Sequence, residues 1–280
     1  MNLRNQKIII IIAMLSFLLV GNSSVLADAA NDTWLSGNIS REGYGAPPTT
    51  SSSNGQARIL ARRAAIVDAY RNLSEYIAGV RIDSETTVQD MTVRDDIIKT
   101  RVSAIIKGAK ILSERSNNDG SYSVVVGISM YGSNNSLASA VLPSWDKVEP
   151  FPLKEIPPAV SAPSYQSTSV IGNFTGLIVD CRDLGLQSVM SPTIKNSNNE
   201  PIYGYKNLDY DKVIKKGMAG YSKDGYNNLG RAGSNPLVVK AIRLDGHNSN
   251  PVLSMEDAQR VLRENQASGF LNDCAVVFIK

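Results

Sequence analysis

The feature that most limits the architecture is a proline-rich stretch at residues 143–168. Pro143, Pro150, Pro152, Pro157, Pro158 and Pro163 lie in it, six of the twelve prolines of a 280-residue chain. Proline fixes φ and lacks a backbone donor, so the stretch suits neither a helix interior nor a central strand. It reads as a linker between an N-terminal domain at 31–142 and a C-terminal domain at 169–280. Hydrophobic residues make up 42% of the chain and charged residues 20%, a globular balance in which both halves can build a core.

The N-terminus bounds the compartment. Arg4 and Lys7 precede an apolar run from Ile8 to Val20, broken only by Ser16. A spanning helix needs about 20 apolar residues, so this run is short for a permanent anchor. Small residues at Val25-Leu26-Ala27 and Ala27-Asp28-Ala29 then fit a peptidase site. Residues 1–29 therefore read as a cleaved signal peptide, and the mature chain as exported to the periplasm or cell envelope without a transmembrane segment. An N-terminal lipid anchor would need a cysteine just after the apolar run, and the cysteines are Cys181 and Cys274. Cleavage after Ala27 would remove two cations and no acid, which lowers the formal charge from +3 to +1. So small a charge argues against nucleic acid as the partner. Export permits a Cys181–Cys274 disulfide. Two separately buried thiols are the alternative.

In the N-terminal domain, Trp34 to Ser40 alternates like a short strand, and Arg41 to Asn54 reads as loop from its glycines, prolines and hydroxyl residues. Ser53 and Gln56 are spaced as a capping box. Ile59, Ile66, Tyr70, Leu73 and Ile77 then form one helical stripe, while Ala57, Ala61, Ala65 and Ala69 line another face where a second element can pack close. Val80 to Met91 reads as a strand. Thr92 with Asp95 caps a second helix bearing Ile97, Ile98, Val102, Ile105 and Ile106. Asn117-Asn118-Asp119-Gly120 joins two further strands as a hairpin. The C-terminal domain offers a buried strand at Gly176–Asp180, a hairpin around Asn196–Asn199 and a strand from Leu237 to Leu244. A helix capped by Ser254 and a final strand from Cys274 to Ile279 complete it. The fold class is α+β: two small α+β domains, the first a sheet with two helices packed on it.

Catalytic, metal and cofactor signatures are absent from the sequence, so no enzyme activity is expected. His247 stands alone in a polar loop, without a nucleophile or orienting partner in a recognisable motif. One histidine and two distant cysteines do not suggest zinc. Asp180 with Asp183 and Asp209 with Asp211 are spaced for turns and caps as readily as for acid–base work. Tyr203, Tyr205, Tyr210, Tyr221 and Tyr226 crowd one glycine-rich segment. They suggest an interaction surface, for protein or for glycan, or else tyrosines shielding a loop over the core.

The residues from Gln56 to Leu73, then Ile77-Ala78-Gly79-Val80, Thr86-Thr87-Val88, Gly108-Ala109 and Asp119-Gly120-Ser121-Tyr122, resemble the bacterial lipoprotein-20 family and the N-terminal domain of flagellar assembly proteins T and P. Residues 175–243 are similar to a C-terminal module of unknown activity found beside that domain. Its pieces include Thr175 to Asp180, Met190-Ser191-Pro192 and Asn235 to Ala241. The resemblance implies a structural, non-enzymatic envelope protein, with a flagellar role as one option, that assembles with itself or with envelope proteins. A cell-wall or glycan-binding module is the other reading.

Overall fold

A computed structural model describes residues 33–34, 36–51, 53–145, 147–152, 172–223 and 230–280. The signal peptide, most of the linker and Tyr226 lie outside the described residues. The N-terminal module runs β1 (Asn38–Gly45), α1 (Asn54–Ala78), α2 (Val88–Arg94), α3 (Asp96–Lys107), β2 (Lys110–Ser116), β3 (Tyr122–Ser129) and α4 (Leu137–Val141). Its sheet is antiparallel in the order β1-β3-β2.

Helix α1 lies across β1 and β3. Ser53 caps it, accepting from the Gln56 amide at 3.2 Å, a bond worth about 1 kcal/mol. The buried stripe is Ala61, Ala65, Ala69, Leu73 and Ile77, an unbroken four-residue repeat. Of the expected stripe, Leu73 and Ile77 are buried and Ile66 and Tyr70 pack against the core, but Ile59 is 58% exposed. Close approach decides which face turns inward. A Cβ on Gly43 would lie 2.0 Å from the Ala69 amide nitrogen, and one on Gly45 would lie 2.0 Å from the Ala61 carbonyl oxygen. Only glycine below alanine lets helix backbone rest on strand backbone. Residues 41–45, expected as loop, are thus strand.

The strand expected over Val80–Met91 is also corrected. Thr87 and Asp90 form a capping box that starts α2, and only Arg81 and Thr87 bridge in β fashion. Thr92 caps nothing; its hydroxyl donates back to the Gln89 carbonyl. Asp95 is itself the cap of α3, accepting from the amides of Ile97 and Ile98.

The C-terminal module adds β4 (Gly176–Asp180), β5 (Ile194–Lys195), β6 (Pro201–Tyr203), α5 (Tyr210–Lys216), β7 (Gly220–Ser222), β8 (Pro236–Lys240), β9 (Arg243–Asp245), β10 (Asn250–Val252), α6 (Met255–Ser268) and β11 (Val276–Ile279). Strands β7-β11-β4-β8 form a parallel sheet. Its two central strands, β4 and β11, are buried along their whole length, the pattern of a parallel sheet covered on both faces. Strands β6-β5-β10-β9 make a second, mixed sheet, so the single strand expected from Leu237 to Leu244 is split between two sheets.

One hydrophobic cluster runs through both modules, from Leu73, Met130 and Leu137 to Leu177, Met190 and Phe278. Main-chain bonds cross the boundary: Met190 N to Arg81 O, Ser191 N to Ile82 O, and Gly132 N to Ile214 O. The described start of the linker is docked as well. Trp145 packs edge-on to Tyr205 at 3.7 Å, and Phe151 stacks on Tyr203 at 6.3 Å. The Glu149 amide donates to the Lys206 carbonyl. Proline excludes regular structure from this stretch, but it does not prevent packing.

Candidate functional site

Of the two readings of the tyrosine-rich segment, the described rings favour shielding of the core. Tyr203 is buried and donates its hydroxyl to the Met218 carbonyl at 2.7 Å. Tyr221 is buried too; it donates to the Val189 carbonyl and accepts from the Val189 amide. Burial holds both phenols well above their ordinary range. Tyr205 and Tyr210 are half-buried against Trp145, and the Tyr205 hydroxyl donates to the Pro143 carbonyl. These rings fasten the linker and the loops to the core, because a buried tyrosine keeps its apolar area only if its hydroxyl finds a partner.

Cys181 and Cys274 are free, buried thiols. Of the two alternatives, separately buried thiols hold, and a bridge is ruled out by register. Val276 pairs with Leu177 and Ile279 with Asp180, in parallel. Cys274 therefore belongs to the amino end of the sheet and Cys181 to the carboxyl end, six residues apart and about 20 Å along the strands. A disulfide requires α-carbons within about 7 Å. Burial pushes the Cys181 thiol up to about 12, helped by the neighbouring Asp180 charge.

The candidate acids are engaged structurally. Arg182 grips Asp180 through two bonds of 2.9 and 2.6 Å and holds its carboxyl below the usual carboxylate range. Asp183 occupies a left-handed turn position, and Asp209 caps α5 by accepting from the Lys212 amide. His247, also left-handed, places Nδ1 3.0 Å from the Ser84 carbonyl and 3.3 Å from Glu85, so it braces the module boundary. Among the described residues no group of three or more His, Cys, Asp or Glu could hold a metal ion. No helix among them is long and apolar enough to cross a membrane.

The exposed feature is the outer edge of the N-terminal sheet. Strand β2 has no neighbour on its far side in the strand order, and every residue from Lys110 to Arg115 is exposed. Ile111 is 43% exposed and Leu112 57%. The register slips between Ile111 and Ser113. Leu112 thereby turns away from α1 and lies over Gly127, where a Cβ would meet its Cδ1 at 2.6 Å. Ser113 faces the same way opposite Val125, and Lys110 and Arg115 flank the pair. On the α1 side, Glu114 uses Oε2 to hold Arg62 at 2.8 Å. Strand β2 was legible in the sequence, but its isolation was not: Lys110, Glu114 and Arg115 within seven residues are the only hint of an edge.

Fold and edge together define a two-module α+β protein with a common core and an exposed β2 edge. Two family matches divide the chain the same way. The family described as LPP20 lipoprotein matches residues 33–129, and Treponema pallidum Tp0624, second domain, matches residues 176–280. The first module is thus similar to the LPP20 lipoprotein family, and the second to the second domain of that treponemal protein. No curated protein matches the chain. The LPP20 match groups the chain with exported, envelope-associated proteins.

Proposed function

We propose that this is a non-catalytic envelope protein that assembles with a protein partner by strand addition at β2. The reading rests on one observation: a sheet edge with no strand beside it among the described residues and exposed Ile111 and Leu112. An added strand would satisfy that backbone and cover both side chains. The register selects the partner. If a second copy paired antiparallel with faces matched, Leu112 would lie opposite Ser113, and Lys110 would lie opposite Arg115. Like charges directly opposite are destabilising, so self-pairing is disfavoured. An extended segment with acidic residues flanking a small apolar pair fits instead. Burial of Tyr203 and Tyr221 weakens the glycan-binding reading, and nothing in the fold singles out the flagellum.

The test is sedimentation of detergent-free envelope extracts. The native protein is expected in a complex larger than a monomer. A Lys110→Glu/Arg115→Glu variant should keep its circular dichroism spectrum and melting temperature and sediment as a monomer. Equal sedimentation of the two would refute strand addition at this edge.

A further inference from the structure

A cleft of about 580 Å³ opens between the modules, beside edge strand β7. Trp34, Asn38 and Tyr131 contribute from one side; Lys215, Lys216 and Arg231 contribute from the other. Its described lining carries three cations and no carboxylate. Among the described residues none of the three makes an ion pair. Elsewhere on the molecule several cations have acids, as in Arg62–Glu114, Arg182–Asp180, Lys195–Asp245 and Lys212–Asp273.

Two of the three have an ordinary explanation. Lys215 and Lys216 occupy the last turn of α5, where cations offset the helix dipole. Arg231 does not. It is half-buried in a short 3-10 turn, and Nη2 donates to the Gly217 carbonyl at 3.1 Å. A guanidinium has five donors in a planar fork, and burying one without an acid is costly unless an anion arrives. Gly217 shapes the wall. Its φ of +76 and missing Cβ, which would sit 2.6 Å from the Tyr131 ring, let that ring stand beside Arg231.

We propose that this cleft binds an organic phosphate, with Arg231 gripping the phosphate oxygens, Lys215 and Lys216 supplying the surrounding positive potential, and Trp34 and Tyr131 walling the organic part. A planar fork matches a phosphate bidentately. Three cations suit a dianion better than a single carboxylate. The volume is that of a small-organic-ligand site and far exceeds one inorganic anion. The site is independent of β2 and stands or falls without it.

The phosphate could belong to a free metabolite or to a lipid headgroup, and two arms separate these sources. In the first, glycerol 3-phosphate and glycerol are titrated by calorimetry into the purified protein. In the second, flotation is measured with vesicles of phosphatidylcholine, with and without phosphatidylglycerol. Binding of glycerol 3-phosphate but not glycerol, or flotation only with phosphatidylglycerol, is expected; which one occurs names the source. Arg231→Gln should weaken that binding at least tenfold, because a charged hydrogen-bond pair is worth about 1.5–3 kcal/mol. Lys215→Gln/Lys216→Gln changes only exposed side chains, so folding is spared, and it should weaken binding severalfold. Lys240→Gln, at the opposite edge of the same sheet, should leave binding unchanged. No binding in either arm, or native affinity in both the Arg231 and the paired lysine variants, would overturn the assignment.

Discussion

Gly43→Ala adds one methyl group where β1 carries the backbone of α1, and the structure sets the size of the effect. The new Cβ would sit 2.0 Å from the Ala69 amide nitrogen, 2.5 Å from the Ala65 carbonyl and 2.6 Å from the Ala69 Cα. Carbon contacts are comfortable from about 3.5 Å, so α1 must lift by roughly 1.5 Å. All three obstacles are backbone, so no side-chain rotation relieves them. The lift would also loosen Leu73 and Ile77, which α1 buries further along the same stripe. Overpacking of this kind costs about 3 kcal/mol. For a protein of this size that is a fall in Tm of about 6–12 °C. Gly55→Ala is the matched control. Its Cβ would meet nothing closer than the Ser53 hydroxyl at 4.0 Å, inside the first turn of α1. Alanine there should stabilise by up to about 1 kcal/mol. Thermal melting followed by circular dichroism reads both variants. Changes of the same sign and size would refute the close-approach argument, and rescue of Gly43→Ala by Ala69→Gly would refute the claim that backbone is the obstacle.

Three further expectations follow from the core and its charges. Without reductant, both cysteines should titrate with a thiol reagent after unfolding and resist it when folded; a mass two daltons below the dithiol value would show a bridge instead. Tyr221→Phe strands the Val189 amide and carbonyl in the core and should cost about 1–3 kcal/mol by urea unfolding, whereas an unchanged midpoint would deny those bonds. Arg182 depresses the Asp180 pKa, so this carboxylate stabilises the fold above its unfolded pKa of about 3.9 and loses that effect as pH falls through its lower folded value. Asp180→Asn should therefore be less stable than the native protein at pH 7, with the gap closing below about pH 4; a gap constant from pH 7 to pH 2 would contradict the pairing.

How much was legible depended on whether a residue's partners were local. Caps were legible where a hydroxyl and the amide that donates to it lie three apart, as at Ser53 and Ser254. The same rule was available at Thr87 and Asp90, but the β-branched run Thr86-Thr87-Val88 outweighed it, and a helix was read as a strand. The alanine face of α1 was visible; its rank above the isoleucines was not, because that depends on Gly43 and Gly45 across the sheet. Those glycines look like loop in one dimension and are close-approach positions in three. The tyrosines were counted, but surface and core-shielding readings stayed open, since burial of Tyr203 and Tyr221 depends on carbonyls at Met218 and Val189. The thiols stayed open between bridge and separate burial for want of strand order: parallel and antiparallel pairing of β4 and β11 predict opposite outcomes for them. The β2 edge and the cleft around Arg231 exist only once the chain is folded.

Assembly at β2 is best tested by placing a photoreactive amino acid at Leu112 in living cells and, in parallel, at Val238, which is also exposed but lies on the far module. Irradiation should give one discrete protein adduct from position 112 and none from 238, and the adduct should vanish when Lys110 and Arg115 are both replaced by glutamate. No adduct at 112, or the same adducts from both positions, would contradict the account.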